Sequence, residues 1–289
     1  MLKDFLFFNY SWVPNSTFLF KSIEKMGYSC DFVDENTIFN YIPEHNYKIV
    51  VVYLHEDNML PKINYLIDNY FTSSILVQHD DTDSEQINYW TRRKPNFIMQ
   101  RELTKNTNNP YNCIIYPFHF PIQSMYISNV EKTTDVVYYS TLTNYRRIPF
   151  IKKVIELSQT TLKHLKWDLR ITDSGVRTPE DYKLAINKAK IGLHYFGNSY
   201  DAWRIWEYAS CGLATLMPEL RMNSITKEFI EFNKSNYVIL KDDFSDLHEK
   251  ILFTLNNYEY YSKKIIEEYN YHTPDKCFEK YFSHFKPFV

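Results

Sequence analysis

The sequence predicts an α/β protein made of two Rossmann-like series of strands and helices, and three observations predict it. Short apolar, β-branched runs alternate with segments whose apolar residues recur every three or four positions. One run, Ile49-Val50-Val51-Val52-Tyr53-Leu54, is apolar throughout. That is the mark of a strand covered on both faces of a parallel sheet. The alternation breaks and restarts near residues 120–132, dividing the 289 residues into two series of similar size.

Residues 2–8 read as a buried first strand. Residues 16–26 have helical period, and Gly27 stands where a C-terminal cap belongs. Strands follow at 28–33 and 49–54, then a helix at 61–70 and a strand at 74–78. The polar loop His79-Asp80-Asp81-Thr82-Asp83 comes next. Residues 97–100 and 113–116 are short strands, and 117–121 is extended. The second series opens with a strand at 135–140 and a helix at 144–158 that carries Arg146 and Arg147 in its first turn. Residues 167–171 form a strand. Thr178-Pro179-Glu180-Asp181 is a helix start, with a Thr cap, Pro at the first helical position and acids in the first turn. That helix runs to about Lys190. A strand at 191–196, a helix at 201–211 ended by Gly212 and a strand at 213–217 follow. A strand at 237–240 and helices at 245–256, 258–269 and 274–285 complete the chain.

The chain is 44% hydrophobic and 24% charged, as expected of a folded protein. A net charge of −2 argues against a general binder of nucleic acid or anionic membrane. The 25 Tyr and 21 Phe beside 5 Gly fit the coding bias of an A/T-rich genome better than a Tyr-rich binding surface. No stretch of 18 residues is apolar throughout, so no membrane span is expected. Cys30, Cys113, Cys211 and Cys277 are far apart and form no C-x-x-C, which suits reduced thiols in a cytoplasmic compartment. Residues 1–130 carry net −4, whereas 144–190 carry net +6. The second half is therefore where a phosphate-bearing ligand is expected.

The most informative stretch is 182–218. A helix leads into Ile191-Gly192-Leu193-His194-Tyr195-Phe196, then a short loop, then Asp201-Ala202-Trp203-Arg204-Ile205-Trp206-Glu207-Tyr208-Ala209-Ser210-Cys211-Gly212. The loop and the start of the next helix lie at the carboxyl end of a parallel strand, where open α/β sheets bind ligands. Arg204 and Glu207 are three apart and share a helix face. A guanidinium suits a diphosphate and a carboxylate suits a ribose diol. An exposed pair of this kind would otherwise be worth only about 0.3–0.5 kcal/mol.

Arg204, Glu207, Cys211 and Gly212, spaced R-x-x-E-x-x-x-C-G, resemble the donor-site motif of GT-B glycosyltransferases, closest to the spore-maturation-protein type. The resemblance covers about residues 135–282, including the strand at 190–197 and the stretch Tyr271-His272-Thr273-Pro274. It implies an acceptor-side domain at 1–128 facing a nucleotide-sugar domain at 129–272 across a cleft. A C-terminal helix at 273–289 would cross back onto the first domain. It implies that Glu207 binds ribose, that Arg146, Arg147 and Arg204 face the diphosphate, and that His194 lies near the donor. Many retaining members carry a Glu where this chain has Ser199; Asp201 of this chain is the candidate substitute, so both stereochemical outcomes stay open, with inversion preferred.

Inversion needs a base for the acceptor proton. Asp80 or Asp81 fits that role, with His79 the lesser candidate; the same aspartates would also serve as caps for a following helix. Asp81-Thr82-Asp83 spells the Asp-x-Asp that holds a divalent metal in another glycosyltransferase class. It lies in the wrong half for that role, so no metal is expected. The expected activity is transfer from a nucleotide diphosphate sugar, a co-substrate with no separate cofactor, to a hydroxyl acceptor, with nucleic acid disfavoured. A sugar epimerase or phosphorylase of this fold would instead make product without an acceptor. A non-catalytic binding module would turn nothing over. A DNA-modifying enzyme would need a basic acceptor surface.

Overall fold

The computed structural model describes residues 2–10, 22–53, 58–80, 90–100, 109, 112–117, 124–142, 144–172, 179–196, 203–219 and 236–289. Of the candidates above, Asp81, Ser199 and Asp201 lie outside the described residues, as does the side chain of Trp203. The chain forms two compact units.

The first holds a six-stranded sheet in the order β2-β1-β3-β4-β5-β6. Its strands are β1 (Leu2–Phe8), β2 (Cys30–Val33), β3 (Asn46–Tyr53), β4 (Ile75–Asp80), β5 (Phe97–Gln100) and β6 (Ile114–Pro117). All the pairings are parallel. A parallel sheet must be covered on both faces, and this one is. On one face Leu6, Phe8, Val50, Val52 and Leu76 pack on Ile63, Leu66 and Ile67 of α1 (Leu60–Asn69). On the other, Phe5, Phe7, Val51, Val77 and Phe97 pack on Phe278, Tyr281, Phe282 and Phe285. Three of those four rings belong to the C-terminal helix, which crosses back to the first sheet and which we number α7 (Pro274–Ser283). Phe282 meets Phe5 and Phe285 in edge and tilted geometry with centroids 5.7 and 5.8 Å apart, arrangements that aromatic quadrupoles favour.

The second unit holds a five-stranded parallel sheet in the order β11-β10-β9-β7-β8. Its strands are β7 (Thr134–Thr141), β8 (Trp167–Thr172), β9 (Ala189–Leu193), β10 (Ala214–Pro218) and β11 (Val238–Leu240). Helices α2 (Ile148–Gln159) and α5 (Leu247–Asn256) fill one face through Phe150, Val154, Leu247 and Ile251. Helices α3 (Pro179–Lys188) and α4 (Trp203–Ser210) fill the other through Ala185, Ile186 and Tyr208. Helix α6 (Tyr258–Tyr269) packs on α4. From β7 the order runs one way to β8 and the other way to β9, so the sheet's switch point lies between β7 and β9.

Three of the boundaries that differ from the sequence expectation bear on the candidate site residues. β4 runs on through His79 and Asp80, which were expected in a loop. Cross-strand partners hold them: His79 pairs with Tyr53 on one side and Met99 on the other, and Asp80 pairs with Gln100. Arg146 and Arg147 sit in a 3₁₀ turn, Tyr145–Arg147, ahead of α2 rather than within it. Pro149, near the start of α2, has no N–H to give an earlier carbonyl, so the α-helical ladder cannot extend back through it. β9 ends at Leu193 rather than Phe196, which leaves His194 just past the strand end.

Candidate functional site

The switch point of the second sheet gathers charged groups from three elements. After β7, Asn144 Oδ1 accepts from the Arg146 N–H at 2.9 Å and caps the 3₁₀ turn. The turn exposes Arg146 and half-buries Arg147. Arg147 Nε donates to the Phe196 carbonyl at 3.1 Å, and its Nη1 donates to Thr141 Oγ1 at 2.9 Å. One guanidinium thus ties the end of β7 to the segment after β9. Burial pulls its pKa below the ordinary arginine value, and the nearby Arg204 charge pulls the same way.

His194 continues the ladder past β9, its N–H donating to the Leu216 carbonyl at 2.9 Å. The side chain is 1% exposed. Burial first, then Arg204 and Arg147, hold the imidazole neutral far below its usual range. Among the described residues neither ring nitrogen has a hydrogen-bond partner, and neither does Arg204 Nε. Buried polar groups are nearly always partnered, and each orphan costs roughly 1–3 kcal/mol. These orphaned polar atoms lie beside two guanidiniums at the sheet's switch point, the place where open α/β sheets bind ligands.

Arg204 and Glu207 lie on α4, whose position is set by glycine. A Cβ on Gly192 would stand 2.6 Å from the Tyr208 ring, so only glycine lets α4 lie this close to β9. Gly212, at φ +65°, ends the helix and turns the chain into β10. Cys211 is buried, its thiol pushed up to about 11 by burial, and Asn187 Nδ2 donates to its sulfur at 3.4 Å. Within the R-x-x-E-x-x-x-C-G pattern the Cys and Gly therefore build the backbone, while the Arg and Glu carry polar chemistry.

Glu207 is half-buried, and Tyr182 of α3 donates its hydroxyl to Oε2 at 2.6 Å. Burial raises the Glu207 pKa, against the Tyr182 bond and the Arg204 charge, which lower it. Burial also works against the charge on Arg204, but Tyr208, Tyr182 and Glu207 outweigh it and raise the arginine pKa. Trp206 is 1% exposed and lies 5.0 Å from the His272 ring, so it is a packing residue.

In the first unit, His79 is enclosed between Tyr53, with ring centroids 4.2 Å apart, and Tyr281 of α7, whose hydroxyl lies 3.0 Å from Nδ1. Asp80 is fully buried at the end of β4. Register and strand alternation put Gln78, Asp80 and Gln100 on one face, and all three are 0% exposed. Asn9, just past β1, is equally buried. Among the described residues both amide atoms of Gln100 and the Asn9 Nδ2 have no partner. Sequence reasoning missed Asn9, Gln78, Gln100 and Tyr182. The legible signal for the first three was a polar residue closing or following an apolar run, as in Phe97-Ile98-Met99-Gln100.

No protein-family model and no curated protein matches the sequence. Solved structures do match. An α-glucosyltransferase in complex with UDP-glucose and DNA containing an abasic site superposes with a TM-score of 0.62 at 11% identity, over 99% of this chain and 100% of that one. Anabaena HepE in complex with UDP gives 0.56 at 9% identity, over 98% and 100%. The pneumococcal O-GlcNAc transferase GtfA, in complex with UDP and GlcNAc, gives 0.53 at 14% identity, over 82% of this chain and 56% of that one. The shared architecture is the GT-B fold, and this chain has it.

Proposed function

We propose that this protein is a glycosyltransferase that moves a sugar from a nucleoside diphosphate sugar to a hydroxyl acceptor. The observation that carries the proposal is the cluster of Arg147, His194, Arg204 and Glu207 at the switch point of the second sheet. That UDP or UDP-glucose is bound in several structures of the same fold supports it. The motif at 204–212 further supports kinship with the spore-maturation-protein type.

In this reading Arg147 and Arg204 face the diphosphate and His194 completes its hydrogen bonding. Arg146, exposed on the same turn, adds charge at the rim. Glu207 accepts from the ribose hydroxyls. The acceptor oxygen attacks the anomeric carbon, the bond from that carbon to the diphosphate oxygen breaks, and the diphosphate leaves with the electron pair. Fixed positive groups aimed at that developing charge lower the barrier. For an inverting transfer the acceptor proton passes to a carboxylate, and Asp80 is the described residue of the first unit that suits it. Asp81 and His79 are the alternatives. The net −4 of residues 1–130 favours an uncharged acceptor over DNA.

A thermal-shift screen against UDP-, GDP-, CDP- and dTDP-sugars, with sugar release read in parallel, tests the proposal. At least one should raise the melting temperature and be hydrolysed or transferred; none doing so would overturn it. With arginines in place of a metal, activity should survive excess EDTA. Loss restored by manganese would instead give Asp81-Thr82-Asp83 a metal-binding role.

A further inference from the structure

Arg204 and Glu207 are three apart on α4, a spacing at which opposite charges ordinarily pair. Among the described residues no ion pair within 4 Å joins them: the Tyr182 hydroxyl stands between the two, donating to Glu207 Oε2 at 2.6 Å and also engaging the Arg204 guanidinium, whose Nε stays orphaned. Tyr182 comes from a different helix, and its own place is fixed. Its ring lies 5.6 Å from Tyr139 on β7, and the Tyr139 hydroxyl donates to Asp168 on β8 at 2.5 Å. The ring is therefore packed against the sheet while the hydroxyl reaches the pair.

We propose that Tyr182 is a positioning residue that keeps the Arg204 and Glu207 side chains apart, leaving the guanidinium for a diphosphate and the carboxylate for a ribose diol. The inference rests on the donor-site reading above and narrows it: the favoured donors carry ribose, not 2′-deoxyribose. A carboxylate closed onto its own arginine has little left to offer a sugar hydroxyl, and the arginine has little left for phosphate. With Oε2 already accepting from Tyr182, the carboxylate has Oε1 and a second lone pair on Oε2 to receive two hydroxyl protons. The tyrosine bond also opposes the rise in the Glu207 pKa that burial causes, which keeps the acceptor in its stronger, ionised form.

The test is calorimetric binding of UDP and 2′-deoxy-UDP, or of the corresponding GDP or CDP pair if that nucleotide binds more tightly. Wild type should prefer the ribonucleotide by about 10–100-fold, the worth of a charge-assisted hydrogen bond. In Tyr182→Phe, which keeps the ring packing against Tyr139, that ratio should fall to within about threefold, with the melting temperature showing that the variant is folded. In Glu207→Gln it should fall equally, and the double variant should lose nothing more, because both changes act on one group. A general structural defect would weaken both nucleotides alike and leave the ratio standing. An unchanged ratio in Tyr182→Phe, or additive losses in the double variant, would overturn the role of Tyr182 while the donor site stands. Failure of wild type to bind UDP, GDP or CDP would overturn the donor reading and this inference with it.

Discussion

The two units share a scaffold and differ at its working end. Each is a parallel sheet with helices on both faces, and each gathers buried or half-buried polar side chains at or beyond the carboxyl ends of its strands. In the second unit those groups are cationic or can donate: Arg147, Arg204 and His194. In the first they are amides and a carboxylate, Asn9, Gln78, Gln100 and Asp80. Its described Arg93 is used elsewhere, donating to the carbonyls of Phe71 and Ser74 at 2.7 and 2.8 Å. The backbone thus presents a similar end in each unit, and the side chains at and just beyond the strand ends give each end its own chemistry. Fixed cations suit a phosphate, and neutral amides beside a carboxylate suit a hydroxyl whose proton must leave.

That division can be broken most decisively at Asp80. Asp80→Asn keeps the volume and removes the proton affinity. Turnover should fall by about 10²–10⁴ while the nucleotide dissociation constant holds; a parallel loss of nucleotide affinity would end the division of labour. Next in size is the aromatic seam of α7. Phe282 is 1% exposed, and Phe282→Ala should cost about 3–5 kcal/mol in urea unfolding. The rise in melting temperature on adding nucleotide should persist, because that site lies wholly in the other unit. Arg204→Met should then weaken nucleoside diphosphates by about 10–100-fold, measured calorimetrically.

The smallest effect is a difference in pH response. His194 is held neutral in the fold but titrates near its usual value when unfolded. Its contribution is present above pH 6.5 and is lost as pH falls below it, by at most about 1.4 kcal/mol per pH unit. His194→Asn should flatten the fall in stability between pH 7 and pH 5. The His284 pKa is also lowered, by burial and Lys280, but the ring is only half-buried, so His284→Asn should flatten it less.

Much of the architecture was legible because parallel strands must be apolar on both faces. Ile49–Leu54 and residues 135–140 declare themselves that way, and Pro179 and Gly212 punctuate the helices. The neighbourhood of Arg204 and Glu207 was legible because they stand three apart in a helical pattern and Gly212 marks where that helix ends. Misreading His79 and Asp80 as loop had a physical cause. What buries them is Tyr53, Gln100 and Tyr281, the last about 200 positions away in sequence, and no local pattern reports such a neighbour. The 3₁₀ turn at Arg146 was readable from Pro149. Tyr182 was not, because a tyrosine in the first turns of a helix looks the same whether it packs, points to water or holds a carboxylate.

The return of α7 to the first sheet has a consequence during synthesis. Strands β1 through β6 leave the ribosome before the second unit and expose an apolar face made by Phe5, Phe7, Val77 and Phe97. The rings that cover it, Phe278, Tyr281, Phe282 and Phe285, are translated only after the whole second unit. At about 5–20 residues per second that wait lasts roughly 8–30 s. The earlier of the two units is thus the last to be finished, and for those seconds a nascent chain presents a sticky surface that a chaperone would have reason to hold.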